Sequence, residues 1–417
     1  MKYCVLVLML FFTYTLSVSA MSHGKQGASR ASLLPVCQEP NSLPSPHCGL
    51  VPTTVLVKGA NEDVDVLYTV FSQNGHIYFT TSVDKGQTFE PPTVVNRIPE
   101  AIYDDGENRP KIIVGEKGKV FVSWTHKTAG RYSGDVRFAR SLDGGKNFDT
   151  PITVNSDRAL ISHRFDSMSI DSEGRLYLIW IDKRDLIEAK KQKQDYRGAA
   201  LYYAVSDDSG ASFSANRKLV DNSCECCRIA VDQDYQGNIV ALWRHVFPGN
   251  IRDHAIAYIS PDETPANSAL LKATNDDWMI EGCPHHGPDL SIDSQNTAHM
   301  AWFTQGEKHK GLMYGQYDFK TQSTRFESVI ESSAAASRPQ VQVMGNTVYL
   351  MWKQFDGKAM TLNVQRSQDG GKTWKDRELI ASTLNGSDHP DWITSQSKLY
   401  AVWHTQSEGL RLFEVGQ

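Results

Sequence analysis

The sequence predicts an all-β chain folded as a single β-propeller of four-stranded blades. Seven blades is the favoured count, and six plus an N-terminal hairpin is the alternative. Three observations predict this. A β-like run ending in Trp recurs at a nearly constant interval, each copy is flanked by further strand-like segments, and a Ser-x-Asp-x-Gly turn recurs in register with them.

The runs are VFVSW to Trp124, LYLIW to Trp180, IVALW to Trp243, AHMAW to Trp302, VYLMW to Trp352 and LYAVW to Trp403, with successive Trp residues 56, 63, 59, 50 and 51 residues apart. A period of that size marks a fold built from one repeated supersecondary unit. A shorter strand precedes each Trp run from the second unit on, as in PKIIV, SMSID, RIAVD, DLSID and PQVQV, often across a Gly- or Asn-containing turn. A third strand follows each: DVRFARS, ALYYAVS, HAIAYIS, GLMYGQY, TLNVQRS and GLRLFEV. A first unit, Thr53 to Ser82, has the same layout without the Trp. Segments such as PPTVVN and TPITVN supply fourth strands. The last unit stops after its third strand, and a segment near Leu33 to Val36 would complete it and hide the sheet edge. The Trp residues read as wedge-fillers between blades rather than as sugar-stacking platforms. The one helix-like insert is KRDLIEAKKQKQDYRG from Lys183, with Lys190 to Lys193 as its solvated part.

At 417 residues the chain exceeds a common domain, which a repeat fold accommodates. Hydrophobic residues at 40% and charged residues at 22% indicate a globular chain. The net charge of -5 argues against a nucleic-acid partner, and no Gly-rich phosphate loop opens a helix. Lys2, the apolar run Val5 to Phe12 and the small residues Val18-Ser19-Ala20 read as an export signal over residues 1–20. That run is short for a bilayer span, and no later segment is apolar enough to cross one. Residues 21–52 read as an irregular extension and 53–417 as the propeller. Cys4 leaves with the signal. The six that remain, an even number in an exported chain, favour disulfides and a periplasmic or secreted location.

The turn after the third strand reads Ser82-x-Asp84-x-Gly86-x-Thr88-Phe89, Ser141-x-Asp143-x-Gly145-x-Asn147-Phe148, Ser206-x-Asp208-x-Gly210-x-Ser212-Phe213 and Ser367-x-Asp369-x-Gly371-x-Thr373-Trp374. Unit four keeps Ser260 and Asp262, and unit five Asp318. In such a hairpin Asp accepts from turn amides, Gly supplies positive φ, and the aromatic plugs the blade below. The pattern resembles the Asp-box (BNR) repeat of the sialidase superfamily over most of the mature chain. The resemblance implies the fold. In that family the boxes lie at the blade edge, away from the active site, so they carry little about reaction. The stretches WIDKRD, CECCRIAVD, LWRHVFPGNIRDHA and GCPHHGP resemble a bacterial subfamily of exported sialidase-like proteins, which names a group and not a reaction.

In a propeller, the loops entering the first strands and those between second and third strands share one face. The entrances carry Arg109, His163 with Arg164, Cys224 to Cys227, Cys283 with His285 and His286, Arg338, and His389 with Asp391. The exits after the Trp carry His126, Asp182 with Arg184, Arg244 with His245, Lys353 and His404. Three chemistries fit this face. The resemblance implies sialidase-like exo-glycoside hydrolysis, with Arg109, Arg164 and Arg338 on a carboxylate, Tyr103 as nucleophile, Glu107 as its activator and Asp105 as acid/base. NRIPE at Asn96 contains the Arg-Ile-Pro string of the sialidase first blade but follows the first Asp box instead of preceding it, so it reads as accidental. A metal centre would use Cys224, Cys226, Cys227, Cys283, His285 and His286 for copper(I) or zinc. The alternative for the same cysteines is disulfides: Cys37 with Cys48, Cys283 with one of the clustered three, and the remaining two together, a vicinal pair included. Binding without catalysis would use His163, Arg244, His245, His389 and Asp391 for a glycan, a small molecule or a partner protein.

Overall fold

Strands buried on both faces read as continuous apolar runs rather than alternating ones. The computed structural model of the chain, describing residues 37, 42–59, 65–261, 270–395 and 398–416, bears this out. Leu176–Asp182 and Ala199–Ser206 are buried at every position. The export signal, Leu33 to Val36 and Asp262 lie outside the described residues.

Seven antiparallel sheets form, spanning Leu50–Val94, Lys111–Thr153, His163–Ser223, Ala230–Lys272, Asp289–Glu331, Ala336–Thr383 and Asp391–Val415, here blades 1 to 7. Within each, the strands lie side by side in chain order. Six blades have four strands, and among the described residues blade 7 has three. The first strand of every blade packs against the first strand of the next, and Asp391–Ser395 of blade 7 packs against Leu50–Lys58 of blade 1. The ring is therefore closed at seven, and the six-bladed alternative falls. Closure rests on an apolar seam of Leu67, Ile393, Tyr400 and Leu410, and on a Lys85–Glu414 pair at 3.1 Å.

The six Trp side chains are 0–1% exposed, each against the preceding blade. Trp124 packs with Val70 and Phe79 of blade 1, Trp180 with Phe121 and Phe138 of blade 2, and Trp302 with Val240 and Leu242 of blade 4. Their burial confirms the wedge reading. In register, the box serine pairs with the residue four before the Trp: Ser141 with Val120, Ser206 with Leu176 and Ser367 with Val348. Ser82 pairs with Leu67 in blade 1, which puts Phe71, fully buried, in the place of the absent Trp.

The four complete boxes fold alike. In the first, Ser82 Oγ donates to Asp84 at 2.7 Å and accepts from the Gly86 amide at 2.9 Å, while the Thr88 hydroxyl donates to Asp84 at 2.6 Å. Gly86 sits at φ +81° and Gly145 at +87°, where a side chain would be strained. The insert forms a helix at Arg184–Lys191, with Leu186 and Ala189 buried and Lys190 and Lys191 exposed. Cys37 and Cys48 form a disulfide.

Two predictions follow from this packing. Trp302→Ala should lower stability by about 3–5 kcal/mol in denaturant unfolding. The second concerns acid. Hydrogen bonds from Thr88 hold Asp84 at about 2, and those from Asn147 hold Asp143 at about 2, against an ordinary 3.8. A depressed folded-state value means that the contribution is complete above about pH 4 and lost as pH falls towards 2. The fall in Tm across that window should be shallower in Asp84→Asn/Asp143→Asn than in the wild type.

Candidate functional site

One face of the ring holds a mouth of about 580 Å³, lined by Tyr103, Asp105, Glu107, Arg164, Arg338 and His389 among others. Below it lies a channel cavity of about 210 Å³, walled by Lys111, Asp166, Arg228, Asp289 and Asp391. Gly106, Glu107, Phe165 and His389 line both spaces and form the neck between them.

Backbone irregularities aim the mouth residues. The first strands of blades 3 and 6 each break register, at Phe165 and at Arg338, and both residues sit at positive φ, 58° and 56°. An extra residue in a strand bends it and redirects its side chains. Positive φ in a bulky residue persists only where the surroundings enforce it, and such positions gather at functional sites. Blade 1 has the same break near Val51, φ 46°. A short helical turn at Gly106–Asn108 carries Glu107. A Cβ at Gly106 would lie 2.1 Å from the His389 ring, so a larger residue there would displace that ring.

Arg338 Nη1 donates to Glu107 Oε1 at 2.6 Å and to the His285 carbonyl. His389 Nδ1 lies 3.8 Å from the same carboxylate oxygen. Burial, reinforced by the Arg338 and Arg109 charges, drives the His389 imidazole well below its usual range, so it is neutral. The Arg164 guanidinium lies over the Tyr103 ring at 3.7 Å and 4.0 Å from the exposed Asp105 carboxylate. Its Nε is buried without a hydrogen-bond partner. Lys183 pairs with Glu225 at the rim. The mouth thus offers three cations, three carboxylates and aromatic faces within one opening.

The sequence-predicted residues divide. Tyr103, Asp105, Glu107, Arg164, Arg338, His285, His389, Cys226 and Cys283 meet at the mouth. Arg109 does not offer its guanidinium there. Nη2 donates to Asp388 at 2.6 Å and to the His389 carbonyl at 3.0 Å, and Nε to the Gly106 carbonyl at 3.1 Å. It is a strut between blades 2 and 7, so the expected clamp of three arginines is not assembled. His163 is buried against Asp182 at 2.9 Å, a carboxylate also held by Trp180 and Arg184. Arg244 donates to the carbonyls of Arg252, His286 and Phe303 and stacks on Trp278. His245 packs on Phe247 at 4.6 Å, and burial holds it at about 4. Lys353 donates to the Ser387 and Asp388 carbonyls. Asp391 belongs to the channel wall, where burial raises its carboxyl.

The cysteines also divide. Cys226 and Cys283 are joined, linking the loops ahead of blades 4 and 5. Cys224 and Cys227 are buried thiols whose sulfurs lie 3.4 Å apart. The bond expected between the remaining two cysteines is therefore not formed. Their contact lowers the Cys224 value and raises that of Cys227. His286 is stacked on Phe303 at 4.3 Å, and His285 turns outward at φ 54°. Among the described residues, the cluster able to hold a metal comprises the four sulfurs alone, within 4.8 Å of one another, and neither imidazole belongs to it. Sequence reasoning missed Tyr132, Phe165, Lys183 and Glu225 at the mouth. Lys183 and Glu225 stood inside strings already singled out, but nothing in their types marked them.

The fold is a seven-bladed propeller, an architecture shared with polysaccharide lyases. A polysaccharide lyase of family PL25, an ulvan lyase bound to -[GlcA(1-4)Rha3S]-, superposes with a TM-score of 0.54 at 11% identity, covering 88% of this chain and 94% of its own. The polysaccharide lyase Uly1 gives 0.50 at 11%, covering 86% and 88%. The Hadza microbial sialidase Hz136 gives 0.49 at 11%, covering 82% and 74%. At such identities the likeness is one of fold. No protein-family model matches the chain, and no curated protein matches it by sequence. Among the described residues no helix is long and apolar enough to cross a membrane.

The strut carries its own prediction. Arg109→Met leaves Asp388, 8% exposed, without its cation. Breaking such a pair should cost about 3–5 kcal/mol, measured by denaturant unfolding.

Proposed function

We propose that the mouth binds an acidic carbohydrate, one carrying carboxylate or sulfate groups. The observation that carries this is that Arg164 and Arg338, from blades 3 and 6, are turned by matching strand breaks into one opening. Guanidinium groups match carboxylate and sulfate geometry, and the exposed Tyr132 adds a face on which a sugar ring can rest. Asp105 and Glu225 can accept from sugar hydroxyls. The acidic saccharide held by the ulvan lyase of the same fold supports the substrate class. The Cys37–Cys48 disulfide supports an oxidising compartment, periplasmic or extracellular.

Titration calorimetry with short uronate-bearing and sulfated oligosaccharides tests the reading, with neutral counterparts as controls. Acidic ligands should bind, and added salt should weaken them. Arg164→Met and Arg338→Met should each weaken binding roughly 10- to 100-fold, the worth of a charged hydrogen bond. Equal affinity for neutral and acidic sugars, or two silent variants, would sink it.

Glycoside hydrolysis in the same mouth is a second reading, favoured by the exposed Asp105 carboxylate beside Arg164. It calls for sugar release from glycosides by the wild type and its loss in Asp105→Asn. The closed strut of Arg109 weighs against a sialidase-type clamp.

A further inference from the structure

We propose that Cys224, Cys226, Cys227 and Cys283 form a binding site for one zinc ion, set in the wall behind the mouth. Three of them precede the first strand of blade 4, and Cys283 precedes that of blade 5. All four sulfurs lie within 4.8 Å of one another. The Cys224 sulfur is 3.4 Å from that of Cys227 and 3.6 Å from that of Cys283. Two independent staples need no such convergence. Four thiolates around zinc do, because metal–sulfur bonds of about 2.3 Å in a tetrahedron separate the sulfurs by about 3.8 Å.

Charge supplies a second, independent observation. Arg244 and Arg252 are 1% and 9% exposed beside this cluster. Arg252 Nη1 points at the Cys224 sulfur from 3.6 Å. Their other partners are backbone carbonyls and the Asn250 amide oxygen, and among the described residues neither has a carboxylate partner. Buried charges are ordinarily paired. A disulfide is neutral and a single thiolate carries only one negative charge, so at least one of the two guanidiniums would stay uncompensated. Zinc with four thiolates carries a charge of -2, which balances the two arginines. Soft thiolate donors also select zinc over hard cations.

In the present structure Cys226 and Cys283 are bonded to each other. The ion-binding form arises when a dithiol reductant donates two electrons to that bond. The reductant becomes a disulfide, and Cys226 and Cys283 become thiols. Zinc then displaces one proton from each of the four thiols. Since Cys226 and Cys283 also line the mouth, the ion would fix the two loops that form that wall. The carbohydrate reading stands or falls separately, because none of its assays measures zinc.

The test uses the full mature chain, reduced with dithiothreitol without oxygen, freed of reductant and given zinc alone. Elemental analysis after gel filtration should find one zinc per chain. Zinc should protect four cysteines from alkylation, as mapped by mass spectrometry, and cobalt(II) in its place should give a sulfur-to-metal charge-transfer band. Cys224→Ser/Cys227→Ser should lose the stoichiometric zinc. Should that variant fail to fold, the protection pattern in the wild type decides. Zinc retained in a folded double variant, or four cysteines alkylated equally with and without zinc, overturns the proposal.

Discussion

Every blade must bury both faces of its sheet, and the remainder of the molecule follows from how that is done. A free-standing antiparallel sheet can leave one face in water. Here each face meets a neighbour, so the second strand of a blade has no solvent side. Leu176–Asp182 is buried at all seven positions, its terminal Asp included. The six Trp residues, each set four positions beyond the partner of a box residue or its equivalent, fill the space where sheets diverge. With the sheets held edge to edge around an axis, first strands become channel walls and their entry loops become one rim.

This constraint explains what could be read from the residues alone. Burial on both faces writes an apolar run into each second strand, and the hairpin chemistry of Ser82 and Asp84 writes a fixed spacing after each third. Both signals are local, so the repeat and the favoured count of seven blades were legible. The rim's chemistry was less so. Arg109, Arg164 and Arg338 occupy equivalent entrances, yet Arg109 is consumed by Asp388, which lies 279 positions away in the chain. Nothing near Arg109 announces that partner. Nor does the sequence reveal the strand breaks at Phe165 and Arg338, since neither residue type favours positive φ. The four sulfurs were visible as candidates, but their separation from His285 and His286 depends on a ring stacked on Phe303.

The rim's electrostatics follow from layering. Nearest solvent, Asp105, Lys183 and Glu225 keep partial access to water, while the Arg164 side chain beside Asp105 is only 8% exposed. At the neck, Glu107 is tied to Arg338, and His389 is neutral. In the channel, burial pushes Asp289 up to about 7, and Lys111 is lowered by burial. Burial thus works against the charged forms of Asp289 and Lys111 on the channel wall.

The blade 7–blade 1 seam has a kinetic meaning. Every described sheet is assembled from one continuous stretch, so nearly all pairing is between neighbours along the chain, which favours rapid local formation. The seam is the exception. Bringing Ile393 and Tyr400 against Leu67 ties a loop of more than three hundred residues, an entropic penalty on the order of 5 kcal/mol from the logarithmic term. That step can come only after both terminal blades exist. Until it does, an open crescent displays two apolar sheet faces, and newly made chains are most exposed to mutual adhesion during that interval.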